Sequence, residues 1–397
     1  MAHEPSGARP PRILLRSAWQ TVNIGDVAHT PGLLALLEKY LPEAEVQLWP
    51  SAVDNGVEAQ IAARFPRVRV LEKTAENLAT ALAHNDFLLH GSGPKLMGAQ
   101  ELARWAETGK PYGVYGITLQ ETDEETVRLL SGAEFAYFRD SVSLQRAREA
   151  GVSAPVVDLT PDSAFAVDLR DDTAAREFLD ANGLEDGTFL CCLSRLRVSP
   201  YWDIYDRPMT EQDRRDHAYN ERMREQDHAP LRAAIEAVVR DTGLKVLLCP
   251  EDRSQMKVAR ENIYDRLPSD VRSRVVWRED FWSLAEALSV HARSAGLFGS
   301  EMHSPIMAVG HGVPALVCRW KEQTSKGFMW RDIGLGDWLF DMDDPASVAG
   351  IAPAVLGMAA DPAAARAKAA AAKERVDRMQ KESMRVLADA LGAARRH

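Results

Sequence analysis

The sequence predicts an α/β chain: two doubly wound, parallel-sheet domains in tandem, closed by a long C-terminal helix. Three observations predict it. Short apolar runs alternate with segments whose apolar residues recur at helical spacing, the pattern of βαβ units. The alternation breaks once, at the acidic stretch 170–186, "RDDTAAREFLDANGLED", and then resumes. Finally, the tail from 361 is rich in Ala, Lys, Glu and Arg with no proline after Pro362, so nothing interrupts a helix over 361–395. The spacing places the domains at 12–170 and 187–345.

In the first half, strands are expected in 12–20, 44–50, 68–72, 86–90, 111–119, 133–140 and 154–159. Helices are expected between them, beginning at 32, 56, 75, 99, 125 and 141. The second half repeats the scheme, with strands in 188–197, 244–249, 273–280, 295–299 and 313–320. Its helices are expected at 229–243, 255–268, 281–294 and 305–312. A charged segment, Val198 to His228, is too long for an ordinary strand-to-helix connection, and reads equally as a substrate lid or a solvated insertion.

Bulk composition narrows the function. The 397 residues are 46% hydrophobic and 27% charged, enough for substantial cores. A formal charge of −10 excludes an extended nucleic-acid surface, because phosphate contacts need clustered Lys and Arg. No apolar run reaches the roughly 18–20 residues of a membrane span. The N-terminal "MAHEPSGARPPR" reads as a polar leader rather than a secretory signal. Cys191, Cys192, Cys249 and Cys318 lie in strand-like runs with no metal-ligand spacing, which fits reduced core thiols and a cytoplasmic protein. No metal or cofactor is expected. A homo-oligomer is compatible with the sequence.

In open parallel sheets, ligands bind beyond the carboxyl ends of strands, so the loops there are the ones to inspect. "NIGD" (Asn23 to Asp26) follows the first strand; Gly25 permits a tight turn, and Asp26 reads equally as a helix cap or a substrate contact. "HGSG" follows the fourth strand, where Gly91 and Gly93 would let backbone N–H groups approach an anion. It resembles an esterase oxyanion loop, but no GxSxG elbow accompanies it. "LSRLR" offers Arg195 and Arg197, whose guanidinium groups suit a carboxylate or phosphate. "CPEDRSQ" sets Glu251, Asp252 and Arg253 on the same edge. "GSEMHSPIMAVGHG" places His303 in a helix-entry turn, with Pro305 in the first turn and Ser300 or Ser304 as alternative caps. An imidazole there titrates near neutrality and suits proton transfer. Downstream, Arg319, Lys321, Lys326 and Arg331 lie among tryptophans, a composition that fits an anionic or sugar-like ligand.

Taken in order, "NIGD", "HGSG", "YFRDSVSLQRAREAG", "DSAF", "GSEMHSPIMAVGHGVPALVCRWKEQTSKGF" and "DIGLGDW" resemble the polysaccharide pyruvyl transferase family from about residue 20 to 345. The resemblance implies a GT-B-like fold of two Rossmann-like halves and transfer of a pyruvyl group from phosphoenolpyruvate onto two sugar hydroxyls as a ketal. It places the family's histidine on His303 as general acid, with Asp26 and Glu301 beside it. The donor would be held by Arg195 or Arg197, with Ser300, Met302, Lys321 and Lys326 around it, and the acceptor would be a sugar or glycan. Where the family usually carries arginine two residues before the histidine, this chain has Glu301, whose charge would repel such a donor. Two alternatives stay open: a GT-B glycosyltransferase using a nucleotide sugar bordered by "CPEDRSQ", and a catalytically silent glycan- or partner-binding member.

Overall fold

The computed structural model describes residues 9–394; leader residues 1–8 and position 395 of the expected tail helix lie outside them. Seven strands form the first sheet: β1 (Arg12–Ser17), β2 (Glu45–Pro50), β3 (Arg69–Val70), β4 (Phe87–His90), β5 (Tyr112–Ile117), β6 (Phe135–Phe138) and β7 (Val156–Leu159). Six form the second: β8 (Phe189–Leu193), β9 (Lys245–Leu248), β10 (Val275–Trp277), β11 (Gly296–Gly299), β12 (Ala315–Arg319) and β13 (Leu339–Asp341). All pairings are parallel, in the orders 3-2-1-4-5-6-7 and 10-9-8-11-12-13. Central strands such as β4 and β8 are buried along their whole length, as strands covered on both faces must be. The order reverses direction between β1 and β4 and again between β8 and β11. These are the switch points where a crevice opens beyond the strand ends.

The structure departs from the sequence expectation in three places. The first helix begins at Ile24, not at 32: Asn23 caps it by accepting from the N–H groups of Gly25 and Asp26, and Pro31 is carried inside. A strand, β13, completes the second sheet where none was expected; at three residues it is too short to show periodicity. Most of the 198–228 segment is part of a 31-residue helix, Glu211–Asp241, where an irregular connection was expected; up to Gln226 many of its residues are exposed, as in a solvated insertion. Thr210 and Asp213 cap that helix reciprocally. The acidic linker, in contrast, carries the short helix expected of it, Asp172–Ala181, packed against the helix Leu284–Arg293.

The tail forms the helix Pro362–Ala394, which runs back onto the first half. Its Ser383 hydroxyl lies 2.9 Å from the Thr160 hydroxyl and 3.2 Å from that of Tyr115. Its Gln380 side chain donates to the Asp162 carbonyl at 3.4 Å. All four cysteines are free and buried. Among the described residues, no single helix is long and apolar enough to cross a membrane.

Candidate active site between the two switch points

The loops after β1 and β9 meet across the molecule. Ile24 N–H donates to the Glu251 carbonyl at 2.9 Å, and Asn23 and Asp252 form an isolated antiparallel bridge. "NIGD" and "CPED", weak signals singly, are therefore one structure. Next to this seam lies a cavity of about 220 Å³. The first half lends it Asp26 and Arg139; the second lends Arg195, Tyr201, Glu301, His303 and Lys326.

His303 opens the helix His303–Gly310 and is 4% exposed. Its Nδ1 lies 3.2 Å from Glu251 Oε1, while the other Glu251 oxygen accepts from the Ser304 N–H at 2.7 Å. One carboxylate thus fixes both the ring and the helix start beneath it. Nε2 makes no hydrogen bond and stands 3.9 Å from Asp26 Oδ1. The ring also meets His29 edge-on, centroids 5.0 Å apart. Burial drives the His303 pKa well below its ordinary value, and the Lys326 charge pushes it further.

A second layer holds this ring. His29 Nε2 lies 3.2 Å from Asp162, whose other partner is Arg139 at 2.6 Å; all three side chains are buried. Arg139 Nε also donates to Thr118 at 2.7 Å. Burial opposes ionisation of Asp162, but His29 and Arg139 outweigh it and hold the carboxyl far below the usual range. Asp26 likewise titrates low: burial opposes this, and His303, His29 and Lys326 outweigh it.

Glu301 is fully buried beside Arg195, 3.5 Å away, and accepts from Gln255 Nε2 at 2.5 Å. Burial pushes its pKa up to about 7 despite Arg195, and the Glu251 carboxylate adds to the rise. Below that pH Glu301 is a neutral acid. Its folded value exceeds the ordinary 4.5, so between 4.5 and about 7 the folded chain holds a proton that the unfolded chain releases. This group's contribution to stability falls as pH rises through that window. In Glu301→Gln, the corresponding slope in a urea-denaturation series from pH 4.5 to 8 is expected to flatten.

The other expected residues divide. Ser300 Oγ accepts from the Arg195 N–H at 3.1 Å and so shapes the loop. Met302 is 2% exposed and belongs to the core. Lys321 is exposed, its N–H bound to Asp343, and does not reach the cavity. Nor does Arg197: its guanidinium is held by Asp227 at 3.0 Å and Asp343 at 2.7 Å, with Tyr219 at 3.2 Å. Gly91 and Gly93 are closely packed; a Cβ at Gly91 would meet Ser17 Oγ at 2.8 Å, and one at Gly93 would meet Trp19 Nε1 at 2.9 Å. Gly25 does bear on the site, since a Cβ there would lie 2.2 Å from the His303 Cβ.

Sequence reasoning missed His29, Arg139, Asp162 and Tyr201. Three had a usable signal. Arg139 and Asp162 sit just beyond the ends of β6 and β7, in the motifs "YFRD" and "DSAF". His29 is three residues after Asp26 on one helix, and so shares its face.

The fold recurs in solved structures. Anabaena HepE in complex with UDP superposes with a TM-score of 0.58 at 12% identity, covering 96% of this chain and 100% of that one. Staphylococcus aureus MnaA with UDP gives 0.57 at 13% identity, covering 92% and 94%. The Neisseria meningitidis UDP-GlcNAc 2-epimerase bound to UDP-GlcNAc gives 0.57 at 10%, covering 95% and 100%. At such identities the likeness establishes a GT-B-like fold alone. No curated protein sequence matches the chain. Residues 23–322 match the family described as polysaccharide pyruvyl transferase, a span that holds every side chain of the cavity except Gln323, Thr324 and Lys326. The chain, a transferase, belongs to the polysaccharide pyruvyl transferase family.

Proposed function

We propose that this transferase moves the pyruvyl group of phosphoenolpyruvate onto two hydroxyls of a sugar or glycan, with His303 delivering the proton. The observation that carries this reading is the convergence of three cations, Arg139, Arg195 and Lys326, on the cavity lined by His303. A small trianion needs such a cluster, and a low-dielectric setting strengthens each contact.

The arrangement also answers the charge problem of Glu301. Protonated, it presents a neutral acid to the donor and leaves Arg195 and Lys326 free to act on the anion. His303 is neutral in the empty site partly because Lys326 opposes its charge. A bound trianion offsets Lys326 and favours the imidazolium. The imidazolium then donates to the enol methylene, which becomes a methyl group, and positive charge develops on the neighbouring carbon. The first sugar hydroxyl adds there and returns its proton to His303. Phosphate leaves with the C–O bond electrons, the second hydroxyl closes the ketal, and its proton goes to the departing phosphate. Glu251 holds the ring's Nδ1 side through both proton movements.

Phosphate release from phosphoenolpyruvate with a panel of sugars tests the reading. His303→Ala is expected to lower the rate by about 10²–10⁴-fold. A second reading, nucleotide-sugar transfer, draws on a 480 Å³ cavity lined by Arg253, Ser254 and Lys257, and on fold relatives solved with UDP. Absence of phosphate release, together with a melting temperature raised by UDP, would replace the first reading by the second.

A further inference from the structure

The cavity opens beneath two aromatic rings that the chemistry above leaves unused. Tyr201 and Tyr205 are the exposed large hydrophobic side chains among the described residues, at 43% and 51%. Their rings stack, with centroids 6.0 Å apart and planes 20° from parallel. Four residues apart on and just after the single turn Tyr201–Ile204, they share one face. Trp202 points the other way, 4% exposed and edge-on to His217, and anchors the turn. Burial raises both phenol pKa values, and Asp26 adds to both; Asp54 adds to Tyr205. Tyr201 lines the cavity together with Asn23 and Asp26 of the first half, and Tyr205 stacks on Tyr201, so the pair sits at the edge of the first half.

That edge is polar. Asn55 donates to Thr21 at 2.9 Å, Thr21 to Asp54, and Gln20 to Asp26. Arg253, from the second half, donates to Asn55 at 3.2 Å. Flat apolar rings left in water at a cavity mouth are unfavourable unless something covers them. A pyranose ring has the matching chemistry, one C–H face to stack and a girdle of hydroxyls for amides and carboxylates. A nucleobase also stacks on aromatic rings, but Arg207, Arg224 and Lys257, the cations that would suit its diphosphate, line the other cavity, on the Trp202 side of the turn, which neither tyrosine lines.

We infer that Tyr201 and Tyr205 form the acceptor subsite, holding the C–H face of a sugar ring so that its hydroxyls point down into the cavity. This rests on the pyruvyl-transfer reading, so the test separates the two. Binding of a panel of methyl pyranosides and short oligosaccharides is measured by saturation-transfer NMR without donor, then acceptor and phosphoenolpyruvate KM values are measured. Tyr205→Ala is expected to weaken sugar binding about three- to tenfold, the worth of one aromatic stack. Tyr205→Trp should retain binding, and the phosphoenolpyruvate KM should stay within about twofold. Sugar binding lost in Tyr205→Ala, with no phosphate released by the wild type, supports the subsite and overturns the donor. Sugar binding unchanged in Tyr205→Ala, or absent in the wild type, overturns the subsite whether or not phosphate is released.

Discussion

Gly25→Ala is expected to lower kcat for pyruvyl transfer by about a hundredfold or more, the scale of a roughly 1 Å misplacement of a catalytic group. The backbone itself should accept alanine, a better helix former than glycine in the first turn. The obstacle is the side chain across from it: the new methyl would lie 2.2 Å from the His303 Cβ and 2.5 Å from its Cγ and Nδ1. Either the imidazole swings off Glu251 or the start of the Ile24–Tyr40 helix retreats from the cleft. Both break the alignment of His303 with Asp26. Overpacking of this kind costs about 1–3 kcal/mol of stability, small enough for a folded sample. Initial rates and a calorimetric melt on the same preparation decide it. A variant with wild-type kcat would show that the His303–Gly25 contact does not position the ring.

Arg197→Ala is expected to destabilise the protein by about 3–5 kcal/mol, as when one partner of a buried ion pair is removed. Arg197 ties the Glu211–Asp241 helix, through Asp227, to the segment after β13, through Asp343, and lies 5.5 Å from the Trp320 ring centre. Without it, Asp227 would keep only its Trp320 contact, buried. Arg197→Lys should recover little, because an ammonium cannot reproduce the two-pronged grip on Asp227. Urea denaturation measures this directly. A loss under about 1 kcal/mol would contradict the structural role.

The contrast between Arg195 and Arg197 shows how far the sequence is legible. Both stand at the end of β8, two residues apart, and both are arginines where a donor site would want one. Only the contact with Glu301 on one side, and with Asp227 and Asp343 on the other, tells them apart, and those partners lie about 30 to 150 residues away along the chain. The alternating strands and helices were legible because burial on both faces of a parallel sheet imposes continuous apolar runs. His303 was legible from its place after β11. The start of the first helix was not, since Pro31 reads as a stop signal while Asn23, the actual cap, lies eight residues upstream. His29, Asp162 and Arg139 form a buried relay whose members come from the first helix and the ends of two separate strands. No local pattern announces such a meeting. Glu301 reads as an intruding charge in the sequence; only its burial, with Glu251 beside it, raises its pKa to about 7.

The Pro362–Ala394 helix begins on one lobe and is fastened to the other at Thr160, Tyr115 and the Asp162 carbonyl. Mechanically it is a buckle. A wide hinge opening would have to break these contacts, so the helix resists one.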